Sequence, residues 1–122
     1  MKPQRRGRID HEVQRALAKI IGEELKDPRL GFVTVTRAEI SDDMKHCKVF
    51  VSVIGDRHAA RQSMDALKSA SGYIRGALGD AVELRYTPAL TFVEDRSAER
   101  AISLSRALQA AQALSEGERS GE

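Results

Sequence analysis

Over residues 9–26, apolar positions recur at helical spacing. Ile9, Val13, Leu17 and Ile20, joined by Ile21 and Leu25, predict an amphipathic helix, with Arg8, Arg15 and Lys19 along its polar side. Asp10 reads as a cap or first-turn acid. Asp27-Pro28 ends the helix, because the residue before proline disfavours the helical region. The period then changes. Residues 32–40 (FVTVTRAEI) and 45–54 (KHCKVFVSVI) read as strands, the second with Cys47, Val49, Val51 and Val53 on one face. The short turn Ser41-Asp42-Asp43 makes them an antiparallel hairpin. A helix over 57–69 follows, with Ala60, Met64 and Leu67 at helical spacing. A shorter helix from about Tyr73 to Leu78 is closed by Gly79. Residues 82–86 and 90–94 flank Thr87-Pro88-Ala89, and Pro88 belongs at a strand start, edge or bulge. Ser97 is expected to cap a last helix striped by Ala101, Leu104, Leu108 and Ala111. The order predicts an α+β domain with helices layered on a small sheet.

One break in the pattern calls for a reason. Gly72 interrupts a helical stretch at Ala70-Ser71-Gly72, where glycine costs about 1 kcal/mol relative to alanine. The break follows a hairpin and separates two helices, which is where the KH fold sets its Gly-x-x-Gly loop against single-stranded RNA. The spacing does occur at Gly76-Ala77-Leu78-Gly79, but at the end of the short helix. Ser71-Gly72 is the better junction, since it presents backbone amides at a helix start, with Arg75 in the first turn. Two readings stand: a phosphate-binding junction, or a glycine that lets two helices pack at an angle.

Composition narrows the class. The chain has 122 residues, 41% hydrophobic and 31% charged, which suits one globular domain. Aromatic residues are only 4%, so the core must come from Leu, Ile, Val and Ala, and base stacking is a minor expectation. The basic start, MKPQRRGRID, has no apolar run behind it and does not read as a secretory signal. The lone Cys47 fits a reducing, cytoplasmic setting. Net charge is +2 but uneven: +4 over residues 1–20, −3 over 21–43, +3 over 44–85 and −2 over 86–122. The two basic segments could form a one-sided cationic face. The expected organisation is a basic flexible arm (1–8), a domain (9–114) and a disordered tail (115–122).

No catalytic constellation can be assembled. His11, His46 and His58 fall in three different elements with no metal-ligand spacing. Cys47 lies on an apolar strand face and reads as core. Asp42-Asp43 is a turn former, and neither a phosphate loop nor a nucleophile elbow is present.

Several stretches in shared order carry a family resemblance over roughly residues 5–112. They are Arg5-Arg6-Gly7-Arg8 with Ile9; Asp27-Pro28-Arg29; Val35-Thr36 leading to Ser41-Asp42-Asp43-Met44-Lys45; Val49-Phe50-Val51-Ser52-Val53; Ala70-Ser71-Gly72-Tyr73-Ile74-Arg75; and Leu84-Arg85-Tyr86-Thr87-Pro88 with Leu90, Phe92 and Asp95. In these the chain resembles the ribosome-binding factor A family of bacterial small-subunit assembly factors. The resemblance implies a type II KH-like fold in which a kinked Ala-x-Gly junction, here Ala70-Ser71-Gly72, replaces the Gly-x-x-Gly loop. It implies a cytoplasmic, non-enzymatic monomer with no cofactor, metal, membrane or small-molecule substrate. It further implies binding to the free 30S subunit and its 16S rRNA, support of late maturation and 5′-end processing, and a role in the cold. The expected RNA contacts are Arg5, Arg6, Arg8, Arg15 and Lys19 on the arm and first helix. Lys68, Ala70, Ser71, Gly72 and Arg75 follow at the kink, with Arg85 beside the last strand. Arg29 and Arg85 have a structural alternative, pairing with Asp27 or Asp95.

Two rival classes remain: a general RNA-binding KH module without ribosome preference, and a protein–protein regulatory domain using its open sheet face. Phe50 and Ile54 lie opposite Cys47 and Val49, and either mark a partner site or are covered by the last helix.

Overall fold

A computed structural model describes the backbone of residues 3–120 and the side chains of residues 7–116. Helix α1 spans Pro3–Lys19 and widens into a π turn, Ile20–Glu24. Strands β1 (Phe32–Ile40) and β2 (His46–Ile54) form the hairpin; α2 (Arg57–Ser69) and α3 (Ser71–Ala81) meet at the kink; β3 (Ala89–Glu94) and α4 (Ser97–Ser120) complete the chain. This is the α-β-β-α-kink-α-β order of a type II KH-like α+β domain, with a C-terminal helix.

The sheet runs β1-β2-β3, antiparallel between β1 and β2 and parallel between β2 and β3. A parallel neighbour needs a long crossover, supplied here by α2 and α3. Alternation sends Val35, Ala38, Ile40, Cys47, Val49, Val51 and Phe92 to one face. Val13 and Leu17 of α1, Leu67 of α2, and Ile74 and Leu78 of α3 pack over them. A bulge between Val35 and Arg37 keeps this alternation in phase along β1.

Several expectations are corrected. α1 starts at Pro3 rather than Ile9, since proline is tolerated in a first turn, so residues 3–8 of the expected arm have helical backbone. Asp10 is therefore no cap. Its carboxylate accepts from the Ile40 amide at 3.0 Å, and Gln14 donates to the Val35 carbonyl at 2.8 Å, so α1 is pinned along the free edge of β1. The helix ends at Glu24, before Asp27. The wider π turn lets the adjacent Ile20 and Ile21 both enter the core. Asp27 instead pairs with Arg29 at 2.8 Å, the structural alternative foreseen for that arginine. α3 runs through Gly79 to Ala81. That glycine does not close the helix; it admits the Thr87 side chain, which an added Cβ would meet at 3.0 Å. Residues 82–86 form no strand.

The largest difference is α4. Every described side chain from Ser97 to Glu116 is exposed, so the helix stands away from the sheet and covers neither Phe50 nor Ile54. Its backbone takes in residues 115–120 of the expected tail. Its start is capped by Asp95, not Ser97: the Asp95 carboxylate accepts from the Ser97 amide and hydroxyl and from Thr36 Oγ1 at 2.8 Å. On the uncovered sheet face Ile54 is 72% exposed beside its cross-strand partner Phe32, while the Arg37 guanidinium lies 4.2 Å from the Phe50 ring centroid.

Candidate RNA interface

Ala70 forms the kink. Its φ of −91° and ψ of 4° end α2 and begin α3, with its amide on the Ala66 carbonyl at 3.0 Å and its carbonyl accepting from Ile74 at 2.9 Å. No side chain caps α3, so its first amides have no side-chain acceptor. A Cβ on Gly72 would meet nothing within 4 Å. The glycine is thus not needed for helix packing, and it leaves an unobstructed approach to the backbone.

Around this junction the expected cations fall into separate groups. Lys68 is exposed in the last turn of α2. Arg75, one turn into α3, is exposed yet engaged. Its Nη2 donates to the Thr87 carbonyl at 2.8 Å and its Nε to the Pro88 carbonyl at 3.2 Å. Arg85 lies over Tyr86, 5.5 Å from the ring centroid, and Asp95 is committed to Ser97 and Thr36. Arg8, Arg15 and Lys19 are exposed on α1. Arg15 shares a groove with Glu12, Ala81 and Glu83, at the C-terminal end of α3. At the other end of α3, Tyr73 Oη is 3.4 Å from Glu24. The first helix therefore runs antiparallel to α3, which sets Arg15 at the end of α3 away from the kink. The side chains of Arg5 and Arg6 lie outside the described residues.

Sequence reasoning missed the acidic flank of α3. A groove of about 520 Å³ is lined by Glu24, Gly72, Tyr73, Gly76, Ala77 and Asp80. Glu24 and Asp80 make that flank, which Gly72 also lines, unfavourable to an anion, whereas Arg75 is not among its lining residues. Only the tertiary pairing of the π turn with α3 reveals this. The Thr87 and Pro88 carbonyls that hold Arg75 were likewise invisible in the sequence.

Among the described residues, no group of three or more His, Cys, Asp or Glu could hold a metal. Burial pushes the Cys47 thiol up to about 11, with the Asp10 charge adding to it, as expected of a core residue rather than a nucleophile. Among the described residues, no helix is long and apolar enough to cross a membrane.

The family model for ribosome-binding factor A matches residues 5–108. The chain belongs to the ribosome-binding factor A family. It is 44% identical over 108 residues to the ribosome-binding factor A of Heliobacterium modesticaldum, covering 88% of this chain and 89% of that one. It is 43% identical over 117 residues to that of Pseudomonas paraeruginosa, covering 94% and 90%. The crystal structure of ribosome-binding factor A from Thermus thermophilus superposes with a TM-score of 0.68 at 29% identity, over 75% of this chain and 98% of that one. A homology model of the Thermus thermophilus factor, fitted into a cryo-EM map of a 30S complex, superposes with a TM-score of 0.60 at 32% identity, over 71% and 91%.

Proposed function

We propose that this chain is an assembly factor that binds the free 30S subunit and its 16S rRNA, supporting late maturation and 5′-end processing, with a role in the cold. Family membership over residues 5–108 carries the reading, and a relative has been fitted on a 30S particle. The chemistry agrees. Folded RNA can rest in a wrong conformer, and a protein shifts that population by binding one conformer better than another. Such work needs a shaped, cationic surface and no catalytic group or cofactor. The uncapped start of α3, open space at Gly72, and the charges of Arg75 and Lys68 supply one such surface; Arg8, Arg15 and Lys19 on α1 supply a second. Arg5 and Arg6 precede the α1 group in the sequence, and Arg85 lies two residues before Thr87, whose carbonyl holds Arg75. The factor acts in the cytoplasm as a monomer.

The test is co-sedimentation with free small subunits, large subunits and assembled ribosomes across a salt series. An Arg75→Glu, Gly72→Asp double variant runs alongside; the space around Gly72 lets the aspartate fit, and urea unfolding of the variant measures the cost of the lost Arg75 contacts, so that weaker binding by a folded variant reports charge. Selective retention on free small subunits, weakened in the variant, is expected. Equal binding to every particle that vanishes with salt would leave only general RNA affinity, and no binding at all would move attention to the bare sheet face.

A further inference from the structure

The geometry points to a second docking surface on α3, on the flank away from Arg75: the groove lined by Glu24 and Asp80 takes a basic segment of a protein of the small subunit, with a lysine or arginine side chain lying in it. This deepens the reading just given and rests on it. The groove holds about 520 Å³. Its floor is nearly bare backbone. A Cβ on Gly72, or on Gly76 one turn later, would meet nothing within 4 Å, and Ala77 adds only a methyl group. Another chain can therefore come close to α3 along this side. Tyr73 stands on the rim, 56% exposed, and its hydroxyl donates to the Glu24 carboxylate at 3.4 Å, which sets an aromatic ring beside a negative charge.

Charge selects the occupant. Among the described residues, no lysine or arginine lines the groove, and neither Glu24 nor Asp80 is in an ion pair. Asp80 lies in the last turn of α3 and Glu24 ends the π turn, so the carbonyl ends of two helices add to the negative potential. Ala81 also borders the neighbouring groove, where the acids Glu12 and Glu83 stand with the single cation Arg15, so the acidic surface continues along the seam of α1 and α3. A ribosomal particle offers phosphate and basic protein. Phosphate is repelled here. A lysine or arginine instead lays its apolar stem on the glycine floor and sets its charge against the carboxylates and the Tyr73 ring. The two flanks of α3 then read the two parts of a ribonucleoprotein, Arg75 the RNA and the acidic groove the protein.

The experiment measures the affinity of the full chain, at one fixed salt concentration, for free small subunits and for protein-free 16S rRNA. One variant is Glu24→Gln with Asp80→Asn. The other is Gly76→Leu, which fills the groove; leucine has open space there and is the better helix former, and urea unfolding verifies that both variants are folded. Removing two negative charges strengthens a contact with phosphate or leaves it unchanged, so the sign of the effect decides. Both variants should bind small subunits about three- to tenfold more weakly, with affinity for the protein-free rRNA no lower than the wild type. Wild-type or tighter binding of the double variant to subunits overturns the proposal, as does wild-type binding by Gly76→Leu. An equal loss on the protein-free rRNA overturns it too, because the partner is then RNA. In each of these cases the assembly-factor reading stands. Failure of the wild type to bind free small subunits removes the groove's partner together with that reading.

Discussion

Arg75 has two separable duties, and one pair of substitutions divides them. Its guanidinium forks onto the Thr87 and Pro88 carbonyls while the side chain stays exposed, so it can hold the approach to β3 and still present charge outward. Arg75→Lys keeps the charge but loses the planar fork; an ammonium on a flexible stem cannot hold both carbonyls in that geometry. A net hydrogen bond contributes about 0.5–1.5 kcal/mol, and solvent exposure puts this pair at the low end, so the expected loss is about 1 kcal/mol. That is about fivefold in the folded-to-unfolded ratio, or a fall in Tm of about 3–6 °C for a domain of this size. Arg75→Ala should lose a similar amount of stability and, in addition, lower the salt slope of small-subunit binding by about 0.7–0.9, which Arg75→Lys should not. Urea unfolding and the salt titration read the two duties independently. Wild-type stability in Arg75→Lys would show that the carbonyl contacts hold nothing. A wild-type slope in Arg75→Ala would remove the arginine from the RNA surface.

Other consequences are equally direct. The Asp95 carboxyl is held down at about 2 by the Ser97 hydroxyl, then the Ser97 amide and Thr36; this stability is present above the ordinary carboxylate range and is lost as pH falls toward 2. Asp95→Asn should therefore flatten the acid limb of a pH–stability curve between about pH 4 and 2, and an unchanged limb would refute the contact. Leu67→Ala, at a side chain with no exposure, should cost about 2–5 kcal/mol in urea unfolding, whereas a loss below 1 would place Leu67 outside the core. Cys47 should resist a thiol-specific disulfide reagent in the native protein and react only on unfolding; fast native labelling would contradict its burial.

How far the sequence could be read depended on what each residue answers to. The two hairpin strands were legible because period-two alternation answers to a single buried face: Cys47, Val49 and Val51 were expected inward and are. The kink was legible because glycine in a helical run is a local anomaly. Residues whose roles are settled by distant partners were misread. Asp10 looks like a cap until Ile40 is placed beside it, and Gly79 looks like a helix stop until Thr87 arrives. The stripe on α4 implied a buried face, but local spacing does not state whether a surface lies opposite. The cations of α1 and of the kink look like one set by charge alone; the antiparallel packing of the first helix on α3 sets Arg15 at the far end from the kink.

Helix α4 also bears on how the chain folds as it is made. Among the described residues, every strand pairing and every core side chain lies before residue 95, and none waits for α4. The slow step, closing the parallel β2–β3 pair over some forty residues, needs nothing beyond Asp95. The sheet and core can therefore close before the last helix takes any position, and α4 is an appendage to a unit already folded. Its exposed positions beyond Ser97 can change without disturbing the order in which the rest folds.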